Sequence, residues 1–292
     1  MAGSMVQDQL FRFIFDKLAI RGELIYLDRT WQAVLERHSY PENVQAQLGE
    51  ALAIIGILSA TIKFKGSLIL QIQGSGPLAT LVTQASHDGK LRGLARWQGS
   101  VPAGPLTEIY GQGHIVMTVN NQQAERYQSI VALEGRRLTD ALETYFMNSE
   151  QLKSRFWLFV DKARVAGLFL QELPASSKEP EDWERISLLA GTTTAAEILQ
   201  LDAEDFLHRL FHEEELRLFS PSALTFECSC SRTKIHNTLI ALGRDELYEL
   251  LQTQAAVEVD CEFCNQHYSF ARHEIDELFA QKEDPGVPRI FH

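Results

Sequence analysis

The chain has 292 residues, a formal net charge of −12 and a 45% hydrophobic content. This is enough for one large domain with a smaller one beside it, and too apolar for a disordered chain. The acidity speaks against a nucleic-acid partner, because affinity for phosphate comes mainly from clustered Lys and Arg.

The first residues, Met1 to Ser4, read as a remnant of expression ahead of a native Met5. Asp8, Arg12 and Asp16 interrupt any early apolar run, so no secretory signal is expected. The apolar stretch from Ala51 to Ala60 falls well short of the ~18 residues a membrane helix needs, so no membrane partner is expected either. The expectation is a cytosolic chain, in which stable structural disulfides are rare and clustered thiols read as metal-binding or redox-active.

In chain order, residues 6–19 carry Leu10, Phe13, Ile14 and Leu18 at helical spacing and predict a helix. ELIYLD (23–28) predicts a strand. Pro41 suits the first turn of a long helix running to about Ile62, with Leu48, Leu52, Ile55 and Leu58 keeping the period. After Gly66 the period changes to two. SLILQIQG, PLATLVTQASH and KLRGLARW read as consecutive strands, and Asp88-Gly89 between the last two predicts a hairpin with a type I′ turn. GHIVMTVN and RYQSIVAL continue the sheet, a helix follows from Leu138 to about Asn148, and RFWLFV and AGLFLQEL add two strands. Antiparallel strands flanked by helices make residues 1–173 an α+β domain. Gly74-Ser75-Gly76 and Gly111-Gln112-Gly113 lack the following Lys-Ser/Thr of a phosphate loop and read as turns. His87 and His114 have no evident catalytic partners. The domain reads as a binding or assembly body.

Composition shifts at Pro174, in PASSKEPED. From Ala175 to Ser220 there are 11 Asp and Glu against 4 Lys and Arg. Three short helices are expected, at about 181–190, 195–201 and 203–213, the last capped by Asp202. Helices this short persist only while their apolar faces are docked. One reading of 174–223 is an ordinary helical linker. The sharper one is a conditional element holding Trp183, Ile186, Leu188, Leu189, Phe206 and Phe211 buried until something undocks it. His208 and His212 stand at i, i+4, yet the sequence after His212 is not the HExxH zinc motif.

All four cysteines lie in the last quarter: Cys228-Ser229-Cys230 and, with 30 residues between, Cys261-Glu262-Phe263-Cys264. Two close pairs joined by a short insert form the pattern of a four-thiolate zinc site. LTFEC (224–228) and AVEVDCEFC (256–264) read as strands that bring the pairs together. SRTKIHNTLIALG and RDELYELLQT read as helices, and HYSF is followed by a helix from about Ala271 to Ala280. A module of about 65 residues has a small core and calls for a metal staple. The first pair is one residue tighter than usual zinc spacing. A disulfide needs Cα atoms about 4.4–6.8 Å apart. A bend at Ser229 meets that limit for the first pair, and a turn meets it for the second. Of the three possible connectivities, local geometry favours Cys228–Cys230 with Cys261–Cys264. Arg232 and Lys234 would favour the thiolates of the first pair. An inert structural zinc site remains the alternative to a redox switch.

CSCSR, CEFCNQHYSF, FHEEELRLF, ETYFMNSEQL and RGELI together closely resemble the redox-regulated heat-shock holdases, the 33 kDa chaperonin family of bacteria. The resemblance runs from about Val6 over essentially the whole chain. It implies an ATP-independent chaperone, not an enzyme, with an α+β domain (1–173), a redox-sensitive acidic linker (174–223) and a zinc-binding switch domain (224–292). It also implies one Zn²⁺ per chain in an inactive reduced form, held by Cys228, Cys230, Cys261 and Cys264. Oxidation would release zinc, form the two local disulfides, unfold linker and zinc domain, and yield a homodimer that holds unfolding or oxidatively damaged clients. The client surface is expected at Trp183, Ile186, Leu189, Phe206, Leu210 and Phe211, with the sheet they cover. The rivals are a thiol-disulfide oxidoreductase using Cys261 and Cys264, which lacks a thioredoxin-like βαβ context, and a zinc-dependent regulator, which the acidity disfavours.

Overall fold

The computed structural model describes residues 8–121, 126–174 and 180–280. Met1–Met5 and most of PASSKEPED lie outside the described residues. The fold is α+β, and the chain divides into two compact units between Glu227 and Cys228.

The first unit opens with β1 (Gln9–Phe15), β2 (Ile20–Leu27), α1 (Arg29–Leu35) and the 20-residue α2 (Glu42–Thr61). Next come β3 (Gly66–Gly74), β4 (Leu78–Ser86), β5 (Lys90–Trp97), the short α3 (Leu106–Tyr110), β6 (Gly113–Asn121) and β7 (Tyr127–Ala132). Helix α4 (Leu138–Tyr145) runs into a π-helical turn, Phe146–Glu150, before β8 (Ser154–Val160) and β9 (Val165–Glu172). Helices α5 (Pro180–Gly191), α6 (Ala195–Gln200) and α7 (Ala203–Phe211) lead to the short strands β10 (Leu216–Leu218), β11 (Ser222–Ala223) and β12 (Thr225–Phe226).

Two sheets sandwich α2. One has the order β10-β1-β2-β9-β8, with β11 also pairing with β1; the other runs β12-β5-β4-β3-β6-β7. Helix α2 packs on β2, β8 and β9 on one side and on β3, β4 and β5 on the other. It is therefore apolar all round, as a helix with both sides covered must be: Leu48, Leu52, Ile54, Ile55, Ile57 and Leu58 are all sealed from water. By length and composition α2 is apolar enough to span a membrane, but most of it is buried inside the first unit. Close approach is set by Gly49 and Gly56, where an added Cβ would lie 2.7 Å from Val160 and 2.4 Å from Ile25.

The far face of the first sheet is equally apolar and carries α5, α6 and α7. Phe13, Phe15, Ile20, Leu24, Tyr26, Leu168 and Leu170 form one buried cluster with residues of these helices. This explains the main departure from the sequence reading. Residues 9–15 form a strand, not a helix, paired with β2 from Gln9↔Tyr26 to Ile14↔Arg21. Phe13 and Phe15 face the linker helices while Leu10 faces the α2 side. Arg12 on the Leu10 face is exposed, but Leu10 and Ile14 make that face apolar too, which blurs the polar/apolar alternation by which strands are recognised.

Three smaller differences follow. Pro41 stands at the cap of α2, its carbonyl accepting from the Val44 and Gln45 N–H groups at 2.9 Å each. The β4–β5 hairpin turns through three residues, with Gly89 at φ +82 and Asp88 not left-handed, so it is not a type I′ turn. LTFEC yields only the two-residue β12, which pairs parallel to β5 inside the first unit and does not join the cysteine pairs. The two Gly-x-Gly turns pack against each other, the Ser75 N–H donating to the Gln112 carbonyl at 3.0 Å.

The second unit holds α8 (Arg232–Leu242), α9 (Arg244–Thr253), the antiparallel hairpin of β13 (Ala256–Asp260) and β14 (His267–Ala271), and α10 (Arg272–Ala280). Its core consists of Leu239, Leu247, Val257, Phe270, Ile275 and Leu278, with partly buried neighbours.

Glu23 in β2 is 2% exposed and its Oε2 has no hydrogen-bond partner among the described residues. Burial pushes its carboxyl up to about 7, against the pull of Arg21 and Arg12. Because the folded value exceeds the ordinary 4.5, this group's stability contribution is complete below about pH 4.5 and is lost as pH rises through about 7. Glu23→Gln is expected to raise stability at pH 8 by on the order of 2–3 kcal/mol and to leave it nearly unchanged at pH 4, as measured by urea unfolding at both values.

Candidate metal centre

The four cysteines lie on two short backbone devices in the second unit. Beyond β13 the chain turns through Cys261–Asn265. The N–H groups of Cys264 and Asn265 both donate to the Cys261 carbonyl, at 3.2 and 2.7 Å, and the Cys261 N–H donates to the Gln266 carbonyl at 3.0 Å. Asn265 takes the left-handed conformation at φ +57, which Asn tolerates better than most side chains. The other pair precedes α8, whose N-cap Ser231 accepts from the Lys234 N–H at 3.3 Å.

These devices bring all four sulfurs within 4.8 Å of one another. All four residues are in the thiol form, Cys261 buried and the others half-buried. Cys228 Sγ lies 3.6 Å from Cys261 Sγ, and Cys230 Sγ lies 3.4 Å from Cys264 Sγ. Tetrahedral thiolates about 2.3 Å from a zinc ion stand about 3.8 Å apart, so the spacing and the all-sulfur donor set fit such an ion. Among the described residues this is the one group of three or more His, Cys, Asp or Glu side chains placed to hold a metal.

Burial raises the Cys261 and Cys264 thiols above their ordinary value. Ionising the four together therefore calls for a compensating cation, and metal binding would release protons. Tyr268 on β14 donates its hydroxyl to Cys230 Sγ at 3.2 Å and is itself pushed up to about 12 by that bond. The sequence reading missed this outer partner; its one signal was an aromatic hydroxyl four residues after the CxxC pair. Arg232 does not serve the sulfurs as expected. It donates to Glu274 at 2.5 Å and to the Ser269 carbonyl at 3.0 Å, and stacks over Phe270 at 4.3 Å. The Lys234 ammonium donates to the Ser229 carbonyl at 2.6 Å, between the first two cysteines. His208 and His212 are exposed.

The linker residues form a separate face in the first unit. Trp183, Ile186, Phe206 and Phe211 are buried, with Leu189 and Leu210 partly buried against the same cluster. Phe211 meets Phe15 edge-on at 5.1 Å between ring centres. Leu188 is instead 73% exposed, because the helical period that buries Ile186 and Leu189 turns it outward. Polar anchors complete the docking: Arg164 pairs with Asp28 at 2.5 Å and also donates to the Leu199 carbonyl, and Arg209 pairs with Glu197 at 2.7 Å.

Known proteins resemble this chain in both sequence and fold. The family model described as Hsp33 protein matches residues 8–271. The 33 kDa chaperonin of Nitrosococcus oceani is 54% identical over 286 residues, covering 98% of this chain and 99% of the relative. That of Pseudomonas paraeruginosa is 45% identical over 293 residues, with 98% and 99% coverage. The crystal structure of the 33 kDa chaperonin (heat shock protein 33 homolog) of Thermotoga maritima matches the fold with a TM-score of 0.82 at 24% identity, over 95% of this chain and 100% of that one. The chain belongs to the Hsp33 family.

Cys261→Ser is expected to weaken zinc binding by more than about a hundredfold, since losing a direct ligand exceeds the 10–100-fold cost of losing an outer partner. It should also loosen α8–α10 in reductant. Competition with a chromophoric chelator and amide exchange check the two effects; unchanged affinity would contradict a four-sulfur site.

Proposed function

We propose that the protein is a redox-regulated, ATP-independent holdase that keeps unfolding and oxidatively damaged proteins from aggregating in the cytosol. In the reduced form, Cys228, Cys230, Cys261 and Cys264 hold one Zn²⁺ and the chaperone is inactive. Oxidation converts Cys228 with Cys230, and Cys261 with Cys264, into disulfides. Each pair gives up two electrons to an oxidant such as a peroxide, which leaves as water, and the sulfurs cease to be thiolate ligands. Zinc departs, and with it roughly 10–16 kcal/mol of the kind of folding energy structural zinc supplies in small modules.

The observation that carries this reading is the docked linker face. Trp183, Ile186, Phe206 and Phe211 cover Phe13, Phe15, Leu24, Tyr26, Leu168 and Leu170. The chain that continues from this cover enters the cysteine module at Cys228. A module whose core is six buried apolar side chains has little stability without a staple. In this reading its unfolding is followed by undocking of the linker helices, which precede it in the chain with β10–β12 between, and this exposes a large apolar surface, the chemistry by which non-native chains are held. Residues 1–173 then act as the client-binding and dimerising body, 174–223 as the conditional cover and the remainder as the switch, with homodimerisation following oxidation. The names of the curated relatives, 33 kDa chaperonins, support the chaperone class.

The test is to oxidise the full chain with peroxide at raised temperature and follow zinc release, thiol loss, linker proteolysis and suppression of client aggregation together. The four are expected to rise in step. If the oxidised, zinc-free protein suppresses aggregation no better than the reduced protein, the reading is wrong. Phe206→Ala removes a fully buried ring at a cost of about 3–5 kcal/mol. It is expected to give partial holdase activity and faster linker proteolysis in reductant with zinc still bound, which a light-scattering assay alongside zinc analysis would show.

A further inference from the structure

RGELI (21–25) and ETYFMNSEQL (143–152) contribute to the family resemblance, and of their residues only Leu24 has a part in the proposed switch. They meet at one cavity of about 250 Å³ in the first unit, to which RGELI contributes Arg21 and ETYFMNSEQL contributes Tyr145, Phe146, Glu150 and Leu152. Buried Leu68, Met117, Phe146 and Gln171 form the inner wall, while exposed Tyr127 and Glu150 stand at the rim. The π-helical turn ends there, with Gln151 left-handed at φ +56. Both are uncommon conformations that recur at functional sites.

Arg21 is the only cation among the lining residues. Its Nε and Nη2 donate to Gln171 Oε1 at 3.2 and 2.6 Å, fixing the guanidinium against the inner wall. Gln171, 1% exposed, is fixed in turn by donating to Ser154 Oγ at 2.8 Å, and Ser154 donates to the Leu152 carbonyl at 3.3 Å. Every member of this relay is neutral, so it orients the guanidinium without cancelling its charge. Glu23, on the same face of β2, is drawn toward its neutral form by burial and offsets that charge only in part. At the rim the Tyr145 hydroxyl bridges Ser129 Oγ at 3.0 Å and Glu150 at 3.3 Å. The rim carboxylate is thus held by a neutral partner away from the inner wall.

An apolar cavity with a few converging polar groups and one preorganised cation is the form of a small-molecule site. At ~30 Å³ per heavy atom, the volume of a water, it holds about eight such atoms, with further chain emerging at the rim. We propose that this cavity binds a small amphipathic carboxylic acid, its carboxylate on Arg21 and its acyl body against Leu68, Met117, Val119 and Phe146.

The probe is octanoate, added to the reduced full-length protein carrying ¹³C-methyl methionine. A saturable shift of the Met117 methyl is expected, larger than that of Met147, with a Kd of about 1 mM or tighter. Octan-1-ol, which lacks the charge, should bind about tenfold more weakly or worse, the value of a charge-assisted hydrogen bond. Arg21→Gln should weaken octanoate by about the same factor and leave octan-1-ol unchanged. Val119→Phe, which fills the cavity, should abolish both, with circular dichroism confirming that each variant folds. If a variant does not fold, the wild-type comparison of acid with alcohol decides. No saturable Met117 shift up to about 10 mM, or equal binding of acid and alcohol, overturns the proposal.

Discussion

The first sheet has two apolar faces, and water can be kept from both only if each has its own cover. Helix α2 covers one; α5, α6 and α7 cover the other, with Phe206 and Phe211 seated on Phe13, Phe15 and their neighbours. Burying a large apolar side chain is worth about 1.5–3 kcal/mol, and ordering the chain that carries it opposes this at about 1–2 kcal/mol per residue. The two covers differ in that balance. Helix α2 is a single 20-residue rod held between two sheets. The linker is three helices of 12, 6 and 9 residues with one apolar face each, assisted by caps at Thr194 and Asp202 and by pairs such as Arg209–Glu197. In the proposed switch it is the cover that lifts.

The cysteine module reaches the same condition by another route. Its hairpin and three helices enclose a small core, and its four sulfurs converge from a turn and a helix entry without a strand to join them. The two shortest sulfur contacts link Cys228 to Cys261 and Cys230 to Cys264, across the pairs. An ion held by all four sulfurs would join the pairs in the same sense, whereas the proposed disulfides run within the pairs. In the proposed switch the same sulfurs serve two incompatible arrangements, one joining distant segments and the other joining only near neighbours. In the proposed switch, exchanging the first for the second removes the long-range crosslink from the module.

Much of this was legible in the chain itself. The four cysteines and their grouping follow from covalent spacing, and β3 to β7, α2, α8 and α9 follow from apolar period, because each of those signals is carried by residues near one another in sequence. The linker face was legible for Trp183, Ile186, Leu189, Phe206, Leu210 and Phe211, since one helical stripe names its own members, and misread for Leu188, which lies off that stripe.

What the sequence could not decide is what covers each element. Residues 9–15 read as a helix because both faces of β1 carry apolar residues, Phe13 and Phe15 on one and Leu10 and Ile14 on the other, and the alternation that marks a strand is blurred. LTFEC became an edge of the second sheet, and Arg232 went to Glu274 and Phe270, because partners distant in sequence offered better pairing. The strand orders, the hydroxyl of Tyr268 on Cys230 and the meeting of Arg21 with the π-helical turn share that origin. Residue type and spacing determined what chemistry the chain carries; long-range packing, which no local pattern encodes, decided where each group is held and what it faces.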